Sequence, residues 1–146
     1  MTLSIAETRD IAHCRALRRA VFIEEQGVSE ADELDAYDET ALHLLARLDG
    51  VAVGTARLRV LADVGKIGRV CVLAPARGQG IGAALIRAAV ERFRAMPGIA
   101  VVRLGAQTHA TAFYEALGFH PVGPVYIDAG IAHLDMELPL FRQARA

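Results

Sequence analysis

A chain of 146 residues with 53% apolar side chains has the length of one domain and can bury about two thirds of its unfolded surface in a single core. A net charge of -1 excludes binding of nucleic acid by bulk electrostatics, the composition excludes disorder over most of the length, and no apolar run approaches the roughly 20 residues of a membrane-spanning helix. One globular domain over residues 1–146 is expected, cytoplasmic because Met1 to Ile5 lacks a basic segment followed by an apolar core, and without nucleic-acid or membrane partners.

Leu3 to Glu7 alternates apolar and polar side chains, as a half-buried strand does. From Asp10 to Glu25, Ile11, Cys14, Leu17, Val21 and Phe22 fall at three- and four-residue steps, which predicts a helix capped by Asp10. Residues 27–38 read as a loop with a short helical piece. Leu42–Leu48 and Val51–Leu61 read as strands joined at Asp49-Gly50, a hairpin signal because both turn positions tolerate positive φ. Lys66–Leu73 is a third strand, stopped at Ala74-Pro75.

Between Gly80 and Met96, Ile81, Ala84, Leu85, Ala88, Ala89 and Phe93 make one helical stripe that Pro97-Gly98 ends. Ala100–Leu104, mostly apolar, is expected to be a strand buried on both faces. Thr108–Leu117 follows as a helix with Gly118 just past its end. Phe119–Val122 and Ile131–Leu138 supply two last strands before a short polar tail. The order predicts an α+β sandwich around one mixed, mostly antiparallel sheet of about seven strands with about four helices.

Cys14 and Cys71 lie in apolar contexts without metal-ligand spacing, so buried reduced thiols are expected, with no disulfide and no metal site. Charge is unevenly placed. Eight acidic residues (Glu24, Glu25, Glu30, Asp32, Glu33, Asp35, Asp38, Glu39) occupy 24–39 with no Lys or Arg, and from Lys66 to Arg103 seven basic residues face one acid. The acidic run is expected to be mainly a solvated face, part of which attracts a cationic amine.

Arg77-Gly78-Gln79-Gly80-Ile81-Gly82 stands between a strand and a helix. Its glycines leave backbone N–H groups uncovered at a helix N-terminus, where the macrodipole favours a phosphate and Arg77 adds a charge. Gly80 is followed by Ile81-Gly82 and not by Lys-Ser/Thr, which excludes a P-loop. About 20 residues past Gly82 lie Val101, Val102 and Arg103, with no carboxylate for a dinucleotide ribose. Alone, the loop supports only an anion site.

Arg77 to Gly82 fits the Arg/Gln-x-x-Gly-x-Gly/Ala signature and so resembles the GCN5-related N-acetyltransferases (GNAT). Downstream, Gln107 and Phe113-Tyr114-Glu115-Ala116-Leu117-Gly118-Phe119 are similar to that family's second block. In the N-terminal third, Leu17-Arg18, Val21 to Gln26, Asp35, Asp38, His43 and Ile67 to Val70 resemble the ElaA-like subgroup, as does Gly130 to Met136, with Ala132 where a proline is common. The resemblance implies an acyl-CoA N-acyltransferase fold in which acetyl-CoA is co-substrate and no metal takes part. It implies that Arg77, Gly78, Gln79, Gly80, Ile81 and Gly82 grip the pyrophosphate and that Gln107 and Phe113 touch the cofactor arm. It also implies that the strand through Val70, Cys71 and Val72 splays from its neighbour, leaving the Val70 N–H for the acyl oxygen and Val72 to pair with the pantetheine amide.

Acyl transfer from a thioester to an amine needs a polarised carbonyl, a neutral amine and a protonated leaving thiolate. Tyr114 is the expected acid, because a phenol of pKa about 10 lies close to a thiol of about 8.5. On periodicity alone, Phe113, Tyr114 and Leu117 read first as an apolar helix face. Phe22, Glu25, His43 and His133 are the candidates for the acceptor side, the last three also for the base. The acceptor is expected to be a primary amine of a small molecule or peptide, and a homodimer is the commonest assembly for such domains. Two alternatives stay open. One is an acyl-CoA-binding sensor without turnover. The other is a relative of the acyl-homoserine-lactone synthases, suggested by Phe22, Glu33, Asp35, Asp38 and Gly54 to Leu58.

Overall fold

The computed structural model describes residues 1–140, and the polar tail expected at 141–146 lies outside the described residues. Seven strands form one sheet in the order β1-β2-β3-β4-β5-β7-β6. They are β1 Leu3–Thr8, β2 Leu42–Leu48, β3 Val51–Leu61, β4 Val64–Val72, β5 Val101–Gln107, β6 His120–Asp128 and β7 Ile131–Pro139. Every pairing is antiparallel except β4 with β5. Four α-helices accompany them: α1 Ile11–Arg18, α2 Glu30–Glu33, α3 Ile81–Arg94 and α4 Thr111–Ala116. The mixed sandwich expected from the sequence is the fold observed.

The period-2 alternation of the central strands sends successive side chains to opposite helical layers. On β2, Leu44 and Ala46 join Ile81, Leu85, Ile86, Ala89 and Phe93 of α3 in the main core, which also takes Val102, Leu104 and Ala106. Leu45 points the other way, to Cys14 and Leu17 of α1 and to Val21, Ala52 and Cys71. Each fully buried Leu, Ile or Phe in these layers contributes about 1.5–3 kcal/mol relative to exposure. Both cysteines are free and buried, as expected.

Two local readings are corrected. β5 is not buried on both faces. Val102, Leu104 and Ala106 are inside, while Arg103 on the opposite side is half-buried and pairs with Glu137 of β7 at 2.6 Å. The helix begun at Ile11 does not stay α-helical to Glu25. From Arg19 to Glu25 it widens to a π-helix, with the Gln26 N–H donating to the Val21 carbonyl. A π-turn holds an extra residue per turn, a device found often at functional sites. Here Val21 stays in the core while Phe22 is only half-buried.

Candidate active site

The site begins with a defect in β4. Arg57 pairs with Gly68 and Thr55 with Cys71, so three steps along β4 oppose two along β3, a bulge that leaves Arg69 and Val70 without cross-strand partners. Arg69 sits there at φ 50°, in the left-handed region that non-glycine residues seldom adopt. Such strain persists when the surroundings over-determine it. Arg69 Nη2 donates to the carbonyls of Asp32 and Glu33 and to the Asp35 carboxylate, at 3.3, 3.0 and 3.2 Å.

Past the bulge β4 leaves β5. The parallel register runs only from Val64 with Val101 to Ile67 with Leu104. The splay expected before the glycine loop is present, and it opens two cavities. One, of about 640 Å³, is walled by Val70, Cys71 and Val72, by Arg77, Gly78, Gly80, Ile81 and Gly82, and by Phe113. The other, of about 270 Å³, is walled by Phe22, Arg69, Gln107 and His133 among others. Gln26, Val70, Ala110 and Tyr114 line both.

In the larger cavity the α3 N-terminus has Gly80 at its cap with φ 78° and no capping side chain. Gly78 is likewise at φ 80°. The first-turn N–H groups of this 14-residue helix therefore face the groove without an internal acceptor. Arg77 stands at the rim, its Nε donating to the Val72 carbonyl at 3.0 Å and its two Nη atoms to Glu25 at 2.5 and 2.6 Å. That hydrogen bonding holds the Glu25 carboxyl below its ordinary range. Glu25, expected beside the acceptor, thus lines the larger groove and is tied to Arg77. Gln79 does not line either cavity, and Gln107 lies in the smaller one, donating to Gln26 at 3.0 Å.

Tyr114 comes from α4, with its ring edge-on to Phe113 and Phe119 at centroid separations of 5.0 and 6.1 Å. Burial pushes its phenol above the usual range, so the group stays protonated and able to donate. His133, on β7, has Nδ1 2.7 Å from the Ile131 carbonyl and stacks on Tyr126.

His43 lines neither cavity. It is buried, with Nε2 2.8 Å from the Asp38 carbonyl. The acidic run is a solvated face at Glu24, Glu25, Glu30, Asp32 and Glu39, but not at Glu33, Asp35 and Asp38. Glu33 and Asp38 are 3% and 0% exposed. Arg18 pairs with both, and Arg57 pairs with Asp35 and Asp38 at 2.7 and 3.1 Å. Arg15 and Arg69 complete the cluster. Four arginines offset three carboxylates, so Glu33, Asp35 and Asp38 are structural and do not serve as an attractor for cations. Burial alone would raise Asp38, but hydrogen bonds from Arg18 and Arg15 hold it far below the usual carboxylate range. Arg69 is the residue that sequence reasoning missed. Nothing in Gly68-Arg69-Val70 signals a positive φ at an arginine.

Among the described residues no helix is long and apolar enough to cross a membrane. The chain matches the acetyltransferase (GNAT) domain family over residues 12–140. It is 37% identical over 135 residues to a Bacillus subtilis (strain 168) protein named as an acetyltransferase, covering 90% of this chain and 91% of that one. It is 36% identical over 125 residues to the ElaA protein of Escherichia coli (strain K12), covering 82% and 81%. The crystal structure of an N-acetyltransferase from Lactobacillus plantarum superposes with a TM-score of 0.87 at 28% identity, over 97% of this chain and 100% of that one. With the splayed strand, the open helix N-terminus and the second block in place, these likenesses establish that the chain belongs to the GNAT family of acyl-CoA-dependent N-acetyltransferases, with ElaA among its relatives.

Proposed function

We propose that this protein moves an acetyl group from acetyl-CoA directly to the primary amine of a small-molecule or peptide acceptor, with Tyr114 protonating the departing thiolate. The observation that carries the reading is that Tyr114 and Val70 line both cavities, so one side chain and one strand edge stand where a donor in one and an acceptor in the other would meet. The amides of Gly78 to Gly82 take the pyrophosphate, aided by Arg77, and Val72 and Phe113 flank the pantetheine arm. The Val70 N–H polarises the acyl carbonyl, and one such donor is worth about 10²–10³ in rate. A positioned acid adds about 10²–10⁴.

The amine attacks the carbonyl carbon, the C–N bond forms, the C–S bond breaks, and the sulfur leaves with a proton from Tyr114. No acyl-enzyme is needed, since both cysteines are buried and burial pushes the Cys71 thiol up to about 12. The test is release of free CoA from acetyl-CoA across a panel of primary amines and N-terminal peptides. Turnover that depends on the amine supports transfer, whereas tight acetyl-CoA binding with no turnover of any amine would replace the enzyme by a sensor.

A further inference from the structure

We infer that His133, through Nε2, is the base that takes the proton from the attacking amine; the inference rests on the acetyl-transfer reading above. His133 pairs with Gln107 on β5 and Tyr126 on β6, and residues opposed in antiparallel register share a face. These three side chains therefore form one row across the sheet, and Gln107 and His133 both line the smaller cavity with Tyr114.

The state of the ring follows from its one hydrogen bond. A carbonyl oxygen can only accept, so the 2.7 Å contact with Ile131 requires the hydrogen on Nδ1. In the neutral ring Nε2 then carries the lone pair. Among the described residues Nε2 has no hydrogen-bond partner and is not one of the buried orphan atoms, so it is accessible, on a residue that lines the cleft. The ring cannot swing freely. Tyr126 stacks on it at 5.8 Å with an interplanar angle of 21°, and the Tyr126 hydroxyl is itself fixed to Asp135 at 2.7 Å. Gly105 leaves the room for this, since a Cβ there would fall 2.5 Å from that hydroxyl.

The other candidates are occupied. Glu25 is held by Arg77, His43 is buried away from the cleft, and Glu33 is paired with Arg18. The titratable and charged groups around His133 are Asp128 from β6, Asp135 on its own strand, Asp32 and Glu33 from α2, and Arg69 from β4; β5 presents the neutral Gln107, whose Oε1 lies 2.7 Å from Nε2 of His109 in the turn before α4. The nitrogen of an ammonium acceptor loses two protons in all. Nε2 takes the first, freeing the lone pair for attack, and later releases it to water. The second leaves the nitrogen after the C–N bond forms and makes good the proton that Tyr114 gives to the sulfur.

Two measurements test this. ¹⁵N NMR of histidine-labelled protein with CoA bound reads the tautomer directly: His133 should be protonated at Nδ1, and a proton on Nε2 overturns the assignment. In kinetics on an amine turned over by the wild type, His133→Gln keeps a donor for the Ile131 carbonyl and removes the base. We expect kcat/KM to fall about a hundredfold near pH 7 and to recover as the pH approaches the pKa of the amine, where free amine no longer needs deprotonation. An unchanged rate, or an equal loss at every pH, overturns the role. Wild-type protein that acetylates no amine removes the transfer reading itself, which separates the two failures.

Discussion

Arg18 of α1 donates from Nη1 to the Asp38 carboxylate at 2.7 Å, with the two side chains only 1% and 0% exposed. Asp38 also receives Arg57 and Arg15, so one carboxylate holds three cations that together clamp it against α1 and β3. Removing one partner of a buried pair leaves uncompensated charge and costs about 3–5 kcal/mol. Asp38→Ala should lower the unfolding free energy by that amount, read in denaturant titration as a lower midpoint with little change in slope. Asp38 and Asp35 both titrate below their ordinary value once folded, despite burial that works the other way. Their stabilisation is present above the unfolded carboxylate value near 3.9 and is lost as the pH falls through the folded values. Melting followed from pH 6 to 2 should show wild-type stability dropping below about pH 4, with a shallower drop in Asp38→Asn.

The parts legible in the sequence were those set by local chemistry. The turn at Asp49-Gly50, the cap at Asp10 and the stripe of α3 each follow from a few neighbouring residues, and the structure has all three. What escaped was non-local. Glu33, Asp35 and Asp38 look solvated like the rest of the run because their arginine partners lie up to 36 residues away, on α1, β3 and β4. The bulge at Arg69 is likewise invisible, since contacts from α2 and the loop after it hold its left-handed backbone. His43 and His133 show the same limit at the candidate site. Both sit in apolar strand patterns, yet only the topology decides that His133 reaches the cleft and His43 does not.

Gly65 and Gly82 should respond to alanine in opposite ways. A Cβ at Gly65 would lie 2.6 Å from the Phe93 ring, which is fully buried and has nowhere to go. Gly65→Ala should therefore cost about 1–3 kcal/mol of stability through overpacking. At Gly82 the nearest neighbour would be Phe113 Cζ at 3.7 Å, an ordinary contact, and the site is helical. Gly82→Ala should melt at the same temperature or a few degrees higher, because alanine is the better helix former by about 1 kcal/mol. A destabilised Gly82→Ala would contradict this packing.

Glu25 holds the Arg77 guanidinium at the rim of the proposed pyrophosphate site. A phosphate arriving there has to share Arg77 with a carboxylate of the same sign as itself. Glu25→Gln should lower KM for acetyl-CoA by about two- to fivefold at low salt, the scale of an exposed ion pair, and the gain should shrink in 0.5 M salt as screening shortens the reach of charge, to a few ångströms at about 1 M. Arg77→Ala should raise KM severalfold under the same conditions. If Glu25→Gln raises KM instead, the carboxylate serves to position Arg77 for the cofactor and does not compete with it.

Tyr114→Phe removes one oxygen and keeps the ring that packs against Phe113 and Phe119. Stability should stay within about 0.5 kcal/mol of the wild type, so any kinetic change belongs to the hydroxyl. With Tyr114 as the acid, kcat should fall about a hundredfold with little change in KM for acetyl-CoA, since the proton moves only in the transition state. The loss should depend on the leaving group. An acetyl thioester of a more acidic thiol expels a thiolate that needs less help, so the gap between Tyr114→Phe and wild type should narrow with such a donor. Burial holds the phenol protonated beyond its usual range, so the wild-type rate should not fall off from loss of this proton until the pH passes about 10. A variant with full turnover on acetyl-CoA would leave the sulfur to take its proton from water, and Tyr114 would then be only a wall shared by the two cavities.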